Sequence, residues 1–456
     1  MRVRVQISQS LHGRSVQLRG FSLGNKNVTE LIFGNLVCAV NATANRALER
    51  EKPILVLSPS VANAFGLTAD TDLHLVQHGS VWRLGPVLGL YVDRLPSKDR
   101  PFGEQTHMFE ELTTYGQAMG VHVVILSPGD VAQRRVMHFD SARKTWRNHE
   151  RIFPDIVIRR SGSFAKLNAQ KAQRELQQLQ EKGRLYTLPR ASSNKWTLYQ
   201  VLSVETSLRP FLPRTTLCTS GRDLYRMVMA RKDVYLKPPG GAQGISIYHV
   251  QQNGNRTKVQ WEKRKVSRNT ERYTNVFQPQ TELKKALLST QDEFVGFWRR
   301  TGMRRCIVQD TVQLPRLNDS PFDFRWLVQA SDNPEVIARV ARIGQKNAIT
   351  TNIHTGGQAK KAEDLIEQAV GKDKTTRYIQ QMDDIAMTVV RTLAKRYGAF
   401  AEVGIDLAIS TSGDIYIFEI NPTPGRRMLR MLSPDTRRLS LDSMLEYAIR
   451  ATGYGG

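Results

Sequence analysis

Two carboxylates and an amide near the C-terminus have the types and spacing of ligands for a hard divalent cation. Residues 401–425 read AEVGIDLAISTSGDIYIFEINPTPG, and Ser412-Gly413 predicts a two-residue hairpin turn. Counting back from this turn places Asp406 opposite Glu419, and such a pair shares one face with Cβ atoms about 5 Å apart. Asn421 returns to the same face.

Two facing carboxylates repel each other unless a cation bridges them or one binds a proton. Carboxylate and amide oxygens suit Mg²⁺, which takes few protein ligands and completes its shell with water and phosphates. The hairpin therefore predicts a metal site formed by Asp406, Glu419 and Asn421. The alternative is an exposed hairpin that carries unrelated acids.

A glycine-rich loop is the second candidate for chemistry. The segment LKPPGGAQGI at 236–245 follows one apparent strand and leads into another, ISIYHV. Glycines such as Gly241 and Gly244 let backbone N–H groups converge on phosphate oxygens, and Lys237 adds a point charge. No GK[ST] follows and no helix begins there, so this is not a Walker loop. On its own a tight turn explains the loop better; together with the hairpin it indicates phosphate binding.

The elements that must position these residues fall into three stretches. Residues 1–85 are β-rich, with apolar alternation in RVRVQIS and DLHLVQH, and show no catalytic constellation. Residues 86–190 contain the strand VLGLYV, a helical apolar stripe and the strand VHVVILSP, a βαβ unit that predicts a parallel, covered sheet. Residues 191–456 alternate strands and helices irregularly, including a predicted helix over 281–300, and fit an α+β unit with antiparallel sheets.

Composition limits the class of protein. A chain of 456 residues is expected to form two or three domains. No stretch approaches the roughly 18 apolar residues of a membrane helix, and the N-terminus lacks the apolar core of a secretory signal. Three scattered cysteines argue against a disulfide framework or a zinc cluster. These features indicate a cytoplasmic protein.

The formal net charge of +24 favours anionic partners. Lysine and arginine are densest in residues 261–272 and again in 299–305. Because no zinc-finger spacing and no RNP-like aromatic string accompany them, solvated basic faces explain these stretches better than nucleic-acid recognition. Charge alone does not exclude a nucleic acid.

Taken in order, several segments resemble the nucleotide and metal segments of the ATP-grasp superfamily. They are LKPPGGAQGI, FDFRWLV and GIDLAISTSGDIYIFEINPTPG. The segments PFGEQTHMFEEL, SSNKWTLYQVL, LPRTT, PFDFRWLVQ and TTNIHTGGQA resemble more closely the endospore coat-associated YheC/YheD-type family. The likeness covers about residues 86–430, and the ordered string is far more specific than any one motif.

The resemblance implies an α/β (α+β) protein of three parts. These are a β-rich N-terminal domain (1–85), a βαβ pre-ATP-grasp domain (86–190) and a two-lobed ATP-grasp domain with antiparallel sheets (191–456). Within the third part, residues 215–310 would form the lobe that covers the nucleotide.

The resemblance also assigns ligands for MgATP. Lys195 and Lys237 would hold ATP phosphates, and Gly241 and Gly244 would lie in the phosphate loop. The metal set matches the three residues of the hairpin, with Mn²⁺ as the alternative ion to Mg²⁺: Asp406, Glu419 and Asn421.

Further roles follow for the adenine and the γ-phosphate. The strand that carries Gln309, Asp310 and Val312 resembles the linker whose backbone contacts adenine, although a Glu is common where Gln309 stands. Arg325 and Arg342 resemble the catalytic cations beside the γ-phosphate, with Asn352 nearby. For Arg342 a structural salt bridge is the alternative.

The function implied is ADP-forming ligation of a carboxylate to an amine or thiol through an acyl phosphate, in a protein linked to the spore coat or envelope. Two lysines, two arginines and Mg²⁺ would offset the triphosphate charge, and the basic chain favours an acidic acceptor. Three alternatives stay open. They are a spore-associated structural protein with an ATP-grasp fold and little turnover, a kinase that stops at phosphoryl transfer, and a polyanion-binding module.

Overall fold

The computed structural model describes residues 1–20, 27–45, 53–67, 70–150, 152–240, 246–264, 281–330, 333–351 and 357–455. The chain divides into two compact units. The first comprises Met1–Thr187 and Leu439–Gly456, and the second comprises Leu188–Arg438. The first unit contains residues of both predicted N-terminal domains together with the end of the chain, and the division into three domains stays a prediction.

An eight-stranded mixed sheet forms the N-terminal part of the first unit. Its strands lie in the order β4-β3-β8-β7-β1-β6-β2-β5. The predicted alternation is present in β1, where Val3 and Val5 are fully buried between exposed arginines. The elements are β1 (Arg2–Ile7), β2 (Ser15–Arg19), β3 (Glu30–Phe33), β4 (Leu36–Ala39), β5 (Asn41–Asn45), β6 (Ile54–Leu57), α1 (Pro59–Phe65), β7 (Thr71–His78) and β8 (Val81–Gly85).

The second sheet of this unit contains the predicted βαβ unit. Its elements are β9 (Val87–Tyr91), α2 (Thr106–Met119), β10 (His122–Leu126), α3 (Asp130–Gln133), β11 (Arg135–Asp140), β12 (Thr145–Glu150), β13 (Ile156–Arg159) and α4 (Ala169–Glu181). The strand order is β12-β11-β10-β9-β13, and both β10 and β13 run parallel to β9. The buried stripe of α2 includes Met108, Phe109 and Leu112. The βαβ prediction is therefore confirmed.

The second unit begins with a helix and a six-stranded antiparallel sheet in the order β14-β19-β15-β16-β17-β18. The elements are α5 (Lys195–Val204), β14 (Thr215–Cys218), α6 (Gly221–Arg231), β15 (Asp233–Lys237), β16 (Tyr248–Asn253), β17 (Arg256–Arg264), β18 (Thr281–Leu288), α7 (Gln291–Arg300) and β19 (Cys306–Asp310). Residues of α6 and α7 such as Leu224 and Phe294 pack with Val234, Val250 and Val259 in one core. The opposite face of the sheet carries Lys237.

The helix predicted over 281–300 is wrong in its first half. Residues Thr281–Leu288 form β18, which pairs with β17 over eight residues, and the helix begins only after Thr290. TELKKALL has no strong strand character of its own, so pairing with a neighbouring strand decides its conformation. A capping box between Thr290 and Glu293 fixes the helix start.

A second antiparallel sheet completes this unit, in the order β23-β22-β21-β24-β25, with β20 paired to β21. The elements are β20 (Arg316–Leu317), β21 (Ser320–Gln329), β22 (Glu335–Ile343), β23 (Gln358–Lys361), α8 (Ala362–Val370), α9 (Lys372–Tyr397), β24 (Glu402–Ile409), β25 (Ile415–Asn421) and α10 (Arg427–Leu432). Strand β24 is buried along its whole length. The predicted α+β architecture with antiparallel sheets is confirmed.

The last helix, α11 (Pro434–Ala451), begins in the second unit, and its residues from Leu439 on belong to the first. In the part of the chain that the structure describes, short 3₁₀ helices lie at Gly103–Gln105, Arg190–Ser193 and Arg209–Phe211. Within the described ranges, no helix combines the length and the apolarity needed to span a membrane.

Candidate active site

The hairpin of β24 and β25 places Asp406 opposite Glu419 and Gly404 opposite Asn421, as the sequence predicts. The predicted two-residue turn is wrong. The Ser410 N–H donates to the Asp414 carbonyl at 2.8 Å, so the loop has three residues. Its last residue, Gly413, has φ +90°, which a three-residue hairpin loop favours in glycine.

A β-bulge restores the pairing beyond this loop. Near the turn Leu407 lies opposite Ile417, one position away from the predicted register. Phe418 is the extra residue, so Glu419 again lies opposite Asp406. The longer loop and the bulge each shift the strand register by one residue, in opposite directions. The two carboxylates therefore face each other as predicted, although the predicted turn is wrong.

Asp406 lies within a four-residue ion-pair cluster that spans three adjacent strands. Arg325 on β21 is its cross-strand neighbour, and the Arg325 Nε and Nη2 atoms donate to Asp406 Oδ1 and Oδ2 at 2.5 and 2.7 Å. Arg342 on β22 lies opposite Asp323 and donates to both of its oxygens at 2.7 and 2.6 Å. The Arg342 Nη1 atom also lies 2.9 Å from Asp406 Oδ2.

This geometry sets the charge of the cluster. Burial alone would raise the pKa of the Asp406 carboxyl, but the guanidinium groups of Arg325 and Arg342 outweigh burial and hold the pKa below its usual value. Asp406 is therefore ionised at neutral pH. Arg342 is buried and bonded on both sides, which is the structural salt bridge weighed as the alternative to a catalytic role.

Glu419 is paired with a lysine from a distant part of the sequence. The Lys195 Nζ atom, at the start of α5, donates to Glu419 Oε1 at 2.9 Å. The side chain of Glu419 is 38% exposed, so it can be reached from solvent. Asn421 Oδ1 accepts the N–H of Thr423 at 3.0 Å.

Lys237 lies at the end of β15 and contacts the neighbouring strand. Its Nζ atom donates to Gln309 Oε1 at 2.6 Å, and Gln309 Nε2 donates to Thr215 Oγ1 at 3.1 Å. Burial and, second, the charge of Lys195 lower the pKa of Lys237 from its ordinary 10.5 to about 8. Two neighbouring ammonium groups in one cleft are a costly arrangement that an anion would relieve.

The remaining residues of the predicted adenine linker follow Gln309. Asp310 ends β19, and its carboxylate accepts from Arg231 Nη1 at 3.3 Å. Val312 lies in the segment after this strand and is half-buried. The Thr311 hydroxyl donates to Asp233 Oδ1 at 2.6 Å, which fixes the linker against β15.

A cleft of about 450 Å³, which includes space open to solvent, gathers several of these groups. Four predicted residues line it, namely Lys195, Lys237, Gln309 and Glu419. Its apolar lining comes from α5, from the segment just before β14, from β19 and from β25: Leu198, Tyr199, Leu202, Leu212, Pro213, Ile307, Ile417 and Phe418. A polar rim with an apolar wall is typical of a small-molecule site.

Three predicted residues lie outside the described residues, namely Gly241, Gly244 and Asn352. Asp406, Arg325 and Arg342 form their own cluster and are not among the residues that line the cleft. Asp406 links this cluster to the cleft, because it lies opposite Glu419, which lines the cleft.

The donor chemistry fits a hard divalent cation. The described residues hold no group of three or more His, Cys, Asp or Glu side chains arranged for a metal. A site on this hairpin therefore needs the Asn421 amide as a third oxygen ligand beside Asp406 and Glu419. Three basic side chains contact these two carboxylates, and one of them, Arg342, is shared with Asp323: Lys195, Arg325 and Arg342.

Two residues of the site were not identified from the sequence. Asp323 anchors Arg342, and Thr215 anchors Gln309. Asp323 lies two positions before Arg325, and residues two apart in a strand share a face. The motif FDFRWLV shows this spacing, so the sequence could have identified Asp323 as a residue of the site.

Sequence comparisons with known proteins identify the family of this chain. The sequence model of the family described as YheC/D like ATP-grasp matches residues 186–450, more than half of the chain. The endospore coat-associated protein YheD of Bacillus subtilis (strain 168) is 24% identical over 420 residues, which are 89% of this chain and 86% of that protein. The endospore coat-associated protein YheC of the same organism is 21% identical over 333 residues, 72% of this chain and 87% of that protein.

Solved structures show a weaker likeness. The ATP-grasp ligase PsnB complexed with a minimal precursor has 13% sequence identity and a TM-score of 0.46, over 80% of this chain and 99% of that one. The D-alanine-D-alanine ligase from Coxiella burnetii has 10% identity and a TM-score of 0.45, over 80% of this chain and 96% of that one. The match to the family model is the result that decides the classification. The chain belongs to the YheC/D-like ATP-grasp family.

Proposed function

We propose that this protein is an ATP-dependent, ADP-forming ligase that joins a carboxylate to an amine or thiol through an acyl phosphate. The observation that carries the proposal is the cleft at Lys195, Lys237, Gln309 and Glu419. These side chains come from four separate segments of the chain and meet around one volume. Membership of an ATP-grasp family supports ATP as the ligand.

The two lysines are the proposed phosphate ligands. Lys237 has a lowered pKa because it is buried next to Lys195. A triphosphate between the two ammonium groups would restore the charge of Lys237 and remove their mutual repulsion. The apolar wall that includes Leu198, Ile307 and Phe418 would receive the adenine ring. We propose that residues 215–310 form the lobe over the nucleotide, with the adenine edge facing the backbone of Asp310 to Val312.

The hairpin carboxylates are the proposed metal ligands. Asp406, Glu419 and Asn421 would hold Mg²⁺, with Mn²⁺ as an alternative, and the ion would offset negative charge on the phosphates. Arg325 and Arg342 keep Asp406 ionised, so the carboxylate can act as a ligand at neutral pH. Lys195 would release Glu419 and pair with phosphate instead.

The two arginines have different roles in this proposal. Arg342 is a positioning residue, because it is buried and fully engaged with Asp323 and Asp406. Arg325 makes its described hydrogen bonds through Nε and Nη2. Its Nη1 group would face the γ-phosphate as charge develops there.

The reaction follows from these groups without a protein nucleophile. A substrate carboxylate oxygen would attack the γ-phosphorus and the bond to the β-phosphate oxygen would break, giving an acyl phosphate and ADP. An amine or thiol would then attack the acyl carbon, and inorganic phosphate would leave. The net charge of +24 supports an acidic acceptor.

A role at the spore coat or envelope is part of this proposal. It is supported by the two curated relatives, which are both named endospore coat-associated proteins. We propose that the protein acts in the cytoplasm on a component that becomes part of that layer.

A screen for ADP release tests this proposal. Purified protein, ATP and Mg²⁺ are combined with amino acids, peptides and cell-wall precursors, each paired with an amine donor. We expect ADP and phosphate only with a carboxylate acceptor, and acidic acceptors should respond more strongly at low salt, because exposed charges are screened beyond about 8 Å at physiological ionic strength. ATP binding without ADP from any acceptor would instead support a structural role, and AMP as the product would exclude this chemistry.

A further inference from the structure

Three parallel strands of the first unit end at one edge of their sheet. Strands β10 and β13 lie on opposite sides of β9 and run parallel to it. Their carboxyl ends lead into residues 92–94, 127–130 and 160–161. Open α/β sheets bind ligands outside the carboxyl ends of their strands, at the point where the strand order reverses. Strand β9 is such a point.

One buried carboxylate organises this edge. The Ser127 N–H donates to Asp130 Oδ2 at 2.9 Å, and the Arg94 Nη2 atom donates to the same oxygen at 2.8 Å. Arg135 Nε donates to the other oxygen, Oδ1, at 3.0 Å. Because Arg94 Nη2 and the Ser127 N–H donate to the same oxygen atom, the two residues are neighbours at this edge. Asp130 carries one negative charge between two guanidinium groups.

A second buried carboxylate fixes the loop after β10. Glu175 on α4 accepts the Gly129 N–H at 3.0 Å with both of its oxygens. It also accepts the hydroxyl of Tyr91, at the end of β9, at 2.6 Å. The loop that carries Ser127 is therefore held from both sides before any ligand binds.

Ser127 Oγ and Arg94 Nε are buried at this edge, and neither atom has a hydrogen-bond partner within the part of the chain that the structure describes. Ser127 is only 4% exposed, whereas the Arg94 side chain is 29% exposed, so the edge can be reached from solvent. Buried donors of this kind are normally satisfied, and an unsatisfied pair needs a partner from outside the protein.

The local positive charge favours an anion as the ligand of this edge. Burial lowers the pKa of Arg94, and Asp130 offsets this only in part, since it is shared with Arg135. Arg159 and Arg160 end β13 at the same edge and add positive charge, while they keep interactions of their own. An N–H of a guanidinium group and a hydroxyl can both donate to an oxyanion.

We propose that the carboxyl edge of β9, β10 and β13 binds the carboxylate or phosphate group of a small molecule, which accepts from Arg94 Nε and Ser127 Oγ. The site is separate in sequence and chemistry from the proposed ATP site of the second unit. It needs neither a nucleotide nor a metal ion. Its occupant would be an anion that fits beside Asp130 without displacing it.

Calorimetry on the full chain without ATP tests this site. Inorganic phosphate is one probe, and acetate, malonate and citrate are the carboxylate probes, all at constant ionic strength. We expect one probe class to bind with a Kd below about 10 mM, and Ser127→Ala to weaken it about tenfold or more. The Ser127 hydroxyl makes no hydrogen bond within the described chain, so this variant should fold normally.

Arg94→Lys is the second variant. It keeps the positive charge beside Asp130 but loses the Nε donor, and should weaken binding by a similar factor. Arg143→Lys is the control, because Arg143 is 67% exposed and pairs with Asp140 elsewhere in the same unit. Equal affinity in all variants would show general attraction to a basic protein, and a lack of binding by every probe would show that water satisfies both atoms. Either result overturns the proposal.

Discussion

ATP binding should be accompanied by uptake of a proton at Lys237. Burial and the neighbouring Lys195 lower the pKa of this lysine to about 8 in the protein. Triphosphate contact would return the pKa towards 10.5, because an opposite charge favours the protonated form. A group with a raised pKa in the complex binds protons on complex formation, so affinity should fall as pH rises through about 8.

The size of the effect follows from the two pKa values. At about pH 8 half of Lys237 is neutral in the free protein and nearly all is protonated in the complex, so binding should take up about half a proton. At about pH 6 the proton uptake should vanish, because Lys237 is already protonated in the free protein. Between about pH 7 and about pH 9 the affinity for ATP should fall about tenfold.

Calorimetry in buffers of different ionisation enthalpy measures this uptake directly. Lys237→Met should abolish the uptake together with most of the affinity. Lys237→Arg is the matched control, because a guanidinium group is always charged and should bind ATP with no uptake. Unchanged uptake in Lys237→Met, or none at about pH 8 in the native protein, would refute the placement of Lys237 at the phosphates.

Three further variants test the rest of the site. Glu419→Ala should abolish the Mg²⁺-dependent part of ATP binding in calorimetry, whereas Asp414→Ala, which removes an acid from the same hairpin, should leave it unchanged. Lys195→Met should weaken ATP much more than adenosine in thermal-shift titrations; equal losses for both ligands would make Lys195 structural. Arg342→Met should lower the free energy of unfolding by about 3–5 kcal/mol in urea, because it leaves the buried Asp323 carboxylate without its counter-ion. Lys346→Met, at an exposed ion pair, should change it little, and equal effects would contradict the buried cluster.

The strand and helix pattern could be predicted well where local sequence decides the structure. The βαβ unit of β9, α2 and β10 was predicted because its apolar runs and helical stripe are strong. Residues 281–288 were not, because their strand exists only through pairing with β17. The mixed order of the N-terminal sheet depends on long-range pairing, such as β3 with β8, which no local pattern encodes.

The candidate active site, too, could be predicted from local sequence only in part. Facing positions for Asp406 and Glu419 were predicted by counting residues, yet the count succeeded because the longer loop and the bulge at Phe418 cancel. The contacts of Arg325 and Arg342 could not be predicted, because strand order decides that β21 lies between β22 and β24. Sequence identified the charged residues; the sheet determines which acid each of them neutralises.

Trapping an acyl phosphate with hydroxylamine tests the central claim most directly. The full-length protein is incubated with ATP, Mg²⁺, hydroxylamine and a panel of acidic and neutral carboxylates, and hydroxamate and ADP are measured together. The proposed function predicts hydroxamate and ADP in equal amounts with at least one acidic carboxylate, and neither product with Glu419→Ala. ADP without hydroxamate from every carboxylate, in a protein that binds ATP, would contradict it.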